Sequence, residues 1–125
     1  MPVRSYRDLK VWQMAMSLAN DVYTATAAFP KAEVYGLTSQ IRRATVSVPS
    51  NIAEGHARGG TRDFLRFLSV AQGSLAELET QVLIATRQSF LTEDHAAPLL
   101  ATADEVGKML RSLQTSLNEK LTLTP

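Results

Sequence analysis

No cysteine occurs anywhere in the 125 residues. That absence excludes disulfide frameworks, thiolate zinc sites, haem-attachment motifs and cysteine nucleophiles. Histidine is nearly as scarce: His56 and His95 are the only two, and neither belongs to the paired Glu-x-x-His motifs of a di-iron bundle. An excess of one charge is also missing, because 13 Lys and Arg against 12 Asp and Glu leave a net +1. Near-neutrality argues against a generic nucleic-acid coat. No apolar run approaches the roughly 18 residues of a membrane span, and Met1-Pro2-Val3-Arg4 does not open a signal peptide. A chain of this length buries roughly two-thirds of its unfolded surface without staples, so one soluble, cytoplasmic domain is expected.

What the sequence does contain is helical periodicity. Leu9, Trp12, Met16, Ala19 and Tyr23 step by 3 or 4 and share one helix face. That face makes Trp12 and Tyr23 core anchors. Phe29-Pro30 should end this helix, since proline cannot continue the hydrogen-bond ladder. A second stripe runs through Leu37, Ile41, Ala44, Val48 and Ile52, with Pro49 inside it as an expected kink. Gly55-His56-Ala57-Arg58-Gly59-Gly60 is the strongest loop signal. Thr61 is placed to cap a third helix with the stripe Phe64, Leu68, Ala71, Leu75, Leu78, Val82 and Ala85. Thr92, followed by Glu93 and Asp94, reads as the cap of a fourth, whose stripe is Leu99, Ala103, Val106, Leu110, Leu113 and Leu117. Ala44-Thr45-Val46-Ser47-Val48 is the nearest thing to a strand, and the helical stripe around it outweighs it. The expectation is one all-α domain over residues 1–125, with helices at about 8–28, 34–57, 61–89 and 93–120. Short connections make an antiparallel up-down-up-down four-helix bundle the economical arrangement.

Several linked motifs are distinctive: Asp8-Leu9-Lys10-Val11-Trp12, Phe29-Pro30, Tyr35-Gly36-Leu37 and Gln40-Ile41-Arg42-Arg43-Ala44. They continue as Ser47-Val48-Pro49-Ser50-Asn51-Ile52-Ala53-Glu54-Gly55 and Gly73-Ser74-Leu75-Ala76-Glu77-Leu78-Glu79-Thr80-Gln81. In this order they resemble the bacterial four-helix-bundle family named after proteins encoded in intervening sequences of 23S ribosomal RNA. Accessory proteins of diversity-generating retroelements resemble the same family. The resemblance covers most of the chain, the last helix matching only in pattern. It implies a four-helix bundle that assembles as a homopentamer. For the retroelement relatives it implies binding to nucleic acid and to a reverse transcriptase.

Charge is unevenly spread. Residues 1–70 carry nine basic and five acidic groups, and residues 71–125 carry four and seven. The concentration is greatest over residues 41–70, where Arg42, Arg43, Arg58, Arg62 and Arg66 stand against Glu54 and Asp63. Arginine pairs with phosphate through two N–H groups, so these five are candidate anion or nucleic-acid contacts. The alternative is a solvated face with interhelical ion pairs, Arg43 or Arg66 with Glu54 or Asp63, because clustered charges are commonly paired or solvated. No aromatic residues interleave the arginines as a stacking platform for single strands. Val46, Ala53 and Gly73 are apolar or small residues away from the core stripes. A helix apolar on two sides is usually buried on two sides, so they are candidate oligomer contacts.

Catalytic constellations are absent from the pattern. Glu79 falls near the third stripe beside Gln72 and is expected to bond an arginine or hydroxyl of a neighbouring helix. Gly55-x-x-x-Gly59-Gly60 lacks the Lys-Ser/Thr ending of a P-loop and follows a helix. Ser47, Ser50 and Ser74 have no nucleophile-elbow context, and Asp94-His95 is local cap chemistry. The sequence therefore points to a non-enzymatic, oligomeric interaction module without metal, cofactor or small-molecule substrate. Its expected partners are copies of itself and RNA, DNA or a reverse-transcriptase-like enzyme. The competing reading is a ring-shaped protein-binding scaffold without nucleic-acid affinity.

Overall fold

The computed structural model describes residues 3–123 and contains four α-helices, α1 Lys10–Thr26, α2 Leu37–Ala57, α3 Thr61–Arg87 and α4 Glu93–Thr122. No strand occurs among the described residues. Helix α1 packs on α2 and α4, and α3 packs on the same two, while the backbones of the diagonal pairs stay apart among these residues. The rings of Phe29, just after α1, and Phe90, just after α3, lie 5.8 Å apart. The C-terminal ends of α1 and α3 thus share one end of the molecule, as an antiparallel up-down-up-down bundle requires. The start of α1, the α2–α3 turn and the end of α4 share the other.

Local chemistry sets the helix limits. A 3-10 turn at Tyr6–Asp8 precedes α1, held by a capping box in which Ser5 Oγ accepts from the Arg7 amide and Asp8 Oδ2 accepts from the Ser5 amide. Leu9 is extended, so α1 begins at Lys10. It stops at Thr26, whose carbonyl could receive nothing from Pro30 four residues on. Helix α2 starts where the Glu33 carboxylate accepts from the Leu37 amide at 3.1 Å, and it runs on through Pro49 to Ala57. Thr61 is not the cap of α3: it is the first helical residue, and Gly60 holds the cap position without a side chain. Thr92 does cap α4, its hydroxyl accepting from the His95 amide at 3.2 Å.

The stripes of α2, α3 and α4 form the core. Ile41, Ala44, Val48 and Ile52 are buried in one cluster with Phe64, Leu68, Ala71, Leu75, Leu78, Val82 and Ala85 of α3 and Leu99, Ala103, Val106 and Leu110 of α4. Each fully buried Leu, Ile or Val side chain contributes about 1.5–3 kcal/mol relative to exposure. The stripe read for α1 is displaced. Its buried row is Val11, Ala15, Leu18 and Val22, with Ala19 shared, whereas Tyr23 is 44% and Met16 38% exposed. Trp12 is half-buried and packs against the edge of the core, whereas Tyr23 is not a core anchor. Helix α1 is apolar on two sides, and the smaller side chains face the bundle axis. The larger row lies one residue on, about 100° round the helix, and leans over α2.

Candidate functional site

The five arginines do not form one surface. Arg42 and Arg58 are 16 residues apart, about 24 Å along a helix rising ~1.5 Å per residue. Arg42 and Arg43 sit in the second turn of α2, beside the end of α1. Arg58 sits at the C-cap of α2, across the turn from Arg62 and Arg66 in α3.

Arg42 is committed to the fold. Its Nε donates to Thr26 Oγ1 at 2.9 Å, its Nη2 donates to the Tyr23 carbonyl at 3.4 Å, and its guanidinium lies 4.6 Å from the centre of the Tyr23 ring. A cation among the last carbonyls of α1 also suits the helix dipole. Arg43 is exposed and reaches Ser39 Oγ at 3.4 Å.

At the other end of α2 the geometry changes character. The guanidinium of Arg58 lies over the Phe67 ring at 5.2 Å, and that of Arg66 lies over the same ring at 4.8 Å. Each is also held by a carboxylate: Arg58 by Glu54 at 3.6 Å and Arg66 by Asp63 at 3.4 Å. Both ion pairs are open to solvent, where such pairs contribute about 0–1 kcal/mol and yield readily to a competing anion. The expected interhelical ion pairs do not form at these residues: Arg66 pairs with Asp63 within α3, and Glu54 takes Arg58 at the end of its own helix instead of Arg43 or Arg66. Arg62, one turn before Arg66, is exposed and makes no ion pair among the described residues. The turn between the helices needs glycine at Gly59, where φ is +80°. The bundle's antiparallel order places Arg7, just before α1, and Lys10, at its start, toward the same end of the molecule.

Phe67 is the residue that the sequence pattern conceals. It lies beside the α3 core stripe and looks like one more packing residue. Two features bring it into play: Gly55 lets α3 approach α2 closely, and Arg58 then reaches the ring from across the turn. The expectation that no aromatic platform accompanies these arginines is overturned: Phe67 stands next to Arg66 in the sequence, and Arg58 from across the turn is a second cation on its ring.

The other candidates scatter. Val46, 42% exposed, and half-buried Ala53 line a groove between α1 and α2 with Tyr6, Trp12, Met16 and Tyr23. The groove has a volume of about 390 Å³ and no acidic residue in its lining. Gly73 does not join it; Gly73 is exposed on α3, with open space where a side chain would stand. Half-buried Glu79 makes neither the ion pair nor the hydrogen bond expected of it among the described residues, and Gln72 instead donates to the Gly107 carbonyl and Gln114 Oε1. Ser47 and Ser74 bond each other at 2.8 Å across the α2–α3 seam. No group of three or more His, Asp or Glu is placed to hold a metal ion among the described residues, and none of their helices is long and apolar enough to cross a membrane.

The fold and this basic end define an all-α four-helix bundle with arginines gathered at a helix–helix turn. Residues 7–112 match the family model of the 23S rRNA-intervening sequence protein, and the chain belongs to that family. Among solved structures it is similar to a protein with unknown function from the S23 ribosomal protein family of Bacteroides thetaiotaomicron. The two share 20% identity at a TM-score of 0.75, over 83% of this chain and 97% of the other. No curated protein matches the chain.

Proposed function

We propose that this protein is a non-catalytic, oligomeric interaction module of the cytoplasm. It contacts nucleic acid, free or held by a nucleic-acid enzyme, through Arg58, Arg62 and Arg66. One observation carries the reading: the guanidiniums of Arg58 and Arg66 are braced on one aromatic ring beside the α2–α3 turn, with exposed Arg62 one helical turn before Arg66. Bracing removes side-chain freedom that would otherwise oppose binding, and the partner carboxylates are exposed enough to be displaced. Contacts to phosphate release counterions, so binding is salt-dependent and nearly indifferent to sequence. Arg42 and Arg43 contribute little, being distant from this end. Salt-titrated binding of RNA and DNA, with the three arginines intact and replaced, tests the proposal.

A protein-binding scaffold is the second reading, favoured by the α1–α2 groove. Tyr23, Met16 and Val46 leave apolar surface exposed there, of the kind that marks contact faces. The family resemblance supports a homopentamer, and copies joined through this groove to a different face would close into a ring.

A further inference from the structure

We infer that Phe67 makes the arginine end of the bundle selective for unpaired over paired nucleic acid. The inference rests on the proposed phosphate-binding role and adds the class of strand. An arginine in water presents a mobile charge, which recognises phosphate on any nucleic acid. An arginine resting on an aromatic ring is different. Its plane is fixed, so its flat surface is offered for stacking while its N–H edge is offered to a phosphate. At this turn the guanidiniums of Arg58 and Arg66 both lie over the half-buried ring of Phe67, 5.2 and 4.8 Å from its centre. Unpaired bases are recognised by stacking on aromatic rings and on guanidinium planes, and every base has a face to offer. Bases inside a duplex are already stacked on one another and cannot use the platform.

Arg62, the third cation of this turn, has no such platform. It is exposed and has no aromatic partner among the described residues, so it supplies phosphate contact alone. Arg58 and Arg66 with Phe67 supply phosphate contact and base stacking together. Electrostatics alone favours the duplex, whose charge density is higher. A preference for the single strand therefore cannot come from the positive charge itself.

The experiment compares a short mixed-sequence RNA strand with the same strand annealed to its complement. Fluorescence anisotropy is measured for wild type, Phe67→Leu and Phe67→Tyr. One base stacked on the platform corresponds to a roughly tenfold affinity effect. The wild type binds the single strand more tightly, and the ratio of single-strand to duplex affinity falls roughly tenfold in Phe67→Leu. Phe67→Tyr keeps the ring and keeps the ratio. No charge is removed in either variant, so the salt dependence of binding stays where it was. Thermal melts of the variants separate a loss of platform from a loss of fold. An unchanged ratio in a folded Phe67→Leu protein, or equal binding of both forms by wild type, overturns the inference while leaving the phosphate contacts standing. Failure of wild type to bind either form removes both.

Discussion

A Cβ placed on Gly55 would lie 2.7 Å from the Cβ of Phe67, so α2 and α3 meet here at a spacing that no other residue permits. The same close approach brings Phe67 within reach of Arg58. Packing and site chemistry are thus joined at one glycine.

Gly55→Ala forces the two backbones apart, because the clash is with a Cβ and not with a flexible side-chain end. Overpacking of this kind costs about 1–3 kcal/mol. A chemical denaturation series should show the lower midpoint with an unchanged slope.

Thr45 offers a prediction of the opposite sign. It is 1% exposed, and its hydroxyl has no hydrogen-bond partner among the described residues. It also stands four residues before Pro49, which has no N–H for its carbonyl. Thr45→Val removes the unsatisfied hydroxyl at nearly constant shape and should stabilise the protein by about 1 kcal/mol. Thermal unfolding of the two proteins side by side checks this, and a lower midpoint for the valine variant would show that the hydroxyl is satisfied in solution.

Arg42→Ala separates structural from functional arginines. It removes the bonds to Thr26 and Tyr23 and leaves the end of α1 less well capped, at about 1–2 kcal/mol. Nucleic-acid affinity, measured below the melting temperature, should hardly change. A large drop in affinity in a folded Arg42→Ala protein would move the binding surface to the other end of α2.

Self-association can be read from sedimentation mass, against a chain mass of 13.7 kDa. The wild type should sediment as a multiple of that mass. Val46→Glu places a carboxylate in the α1–α2 groove and should shift the population toward monomer, since a buried unpaired charge is expensive. A wild type that is monomeric at micromolar concentration contradicts the ring.

Much of the fold can be read from spacing alone, and the reason is visible in α3 and α4. Each has one apolar stripe, so the pattern admits one orientation: every α3 stripe residue from Phe64 to Ala85 is buried, as are Leu99, Ala103, Val106 and Leu110. Helix α1 has two overlapping stripes, and choosing the bulkier one puts Trp12 and Tyr23 in a core that belongs to Val11, Leu18 and Val22. Spacing cannot rank two rows; only the shape of the neighbouring helices does. The site is half legible. Arg58, Arg62 and Arg66 stand out as charge near a glycine loop, and their separation from Arg42 and Arg43 already follows from the helix expected over residues 34–57. Phe67 is hidden because its second cation comes from across the turn, beyond the reach of helical spacing.

The most direct test is the salt dependence of RNA binding by wild type and by the Arg58→Ala/Arg62→Ala/Arg66→Ala variant. Removing one arginine–phosphate interaction lowers the slope of log affinity against log salt by about 0.7–0.9, so the variant should bind weakly with a slope shallower by about 2. A variant that matches wild type in affinity and slope, or a wild type with no binding at low salt, would contradict the assignment of these arginines and leave the protein-binding scaffold in its place.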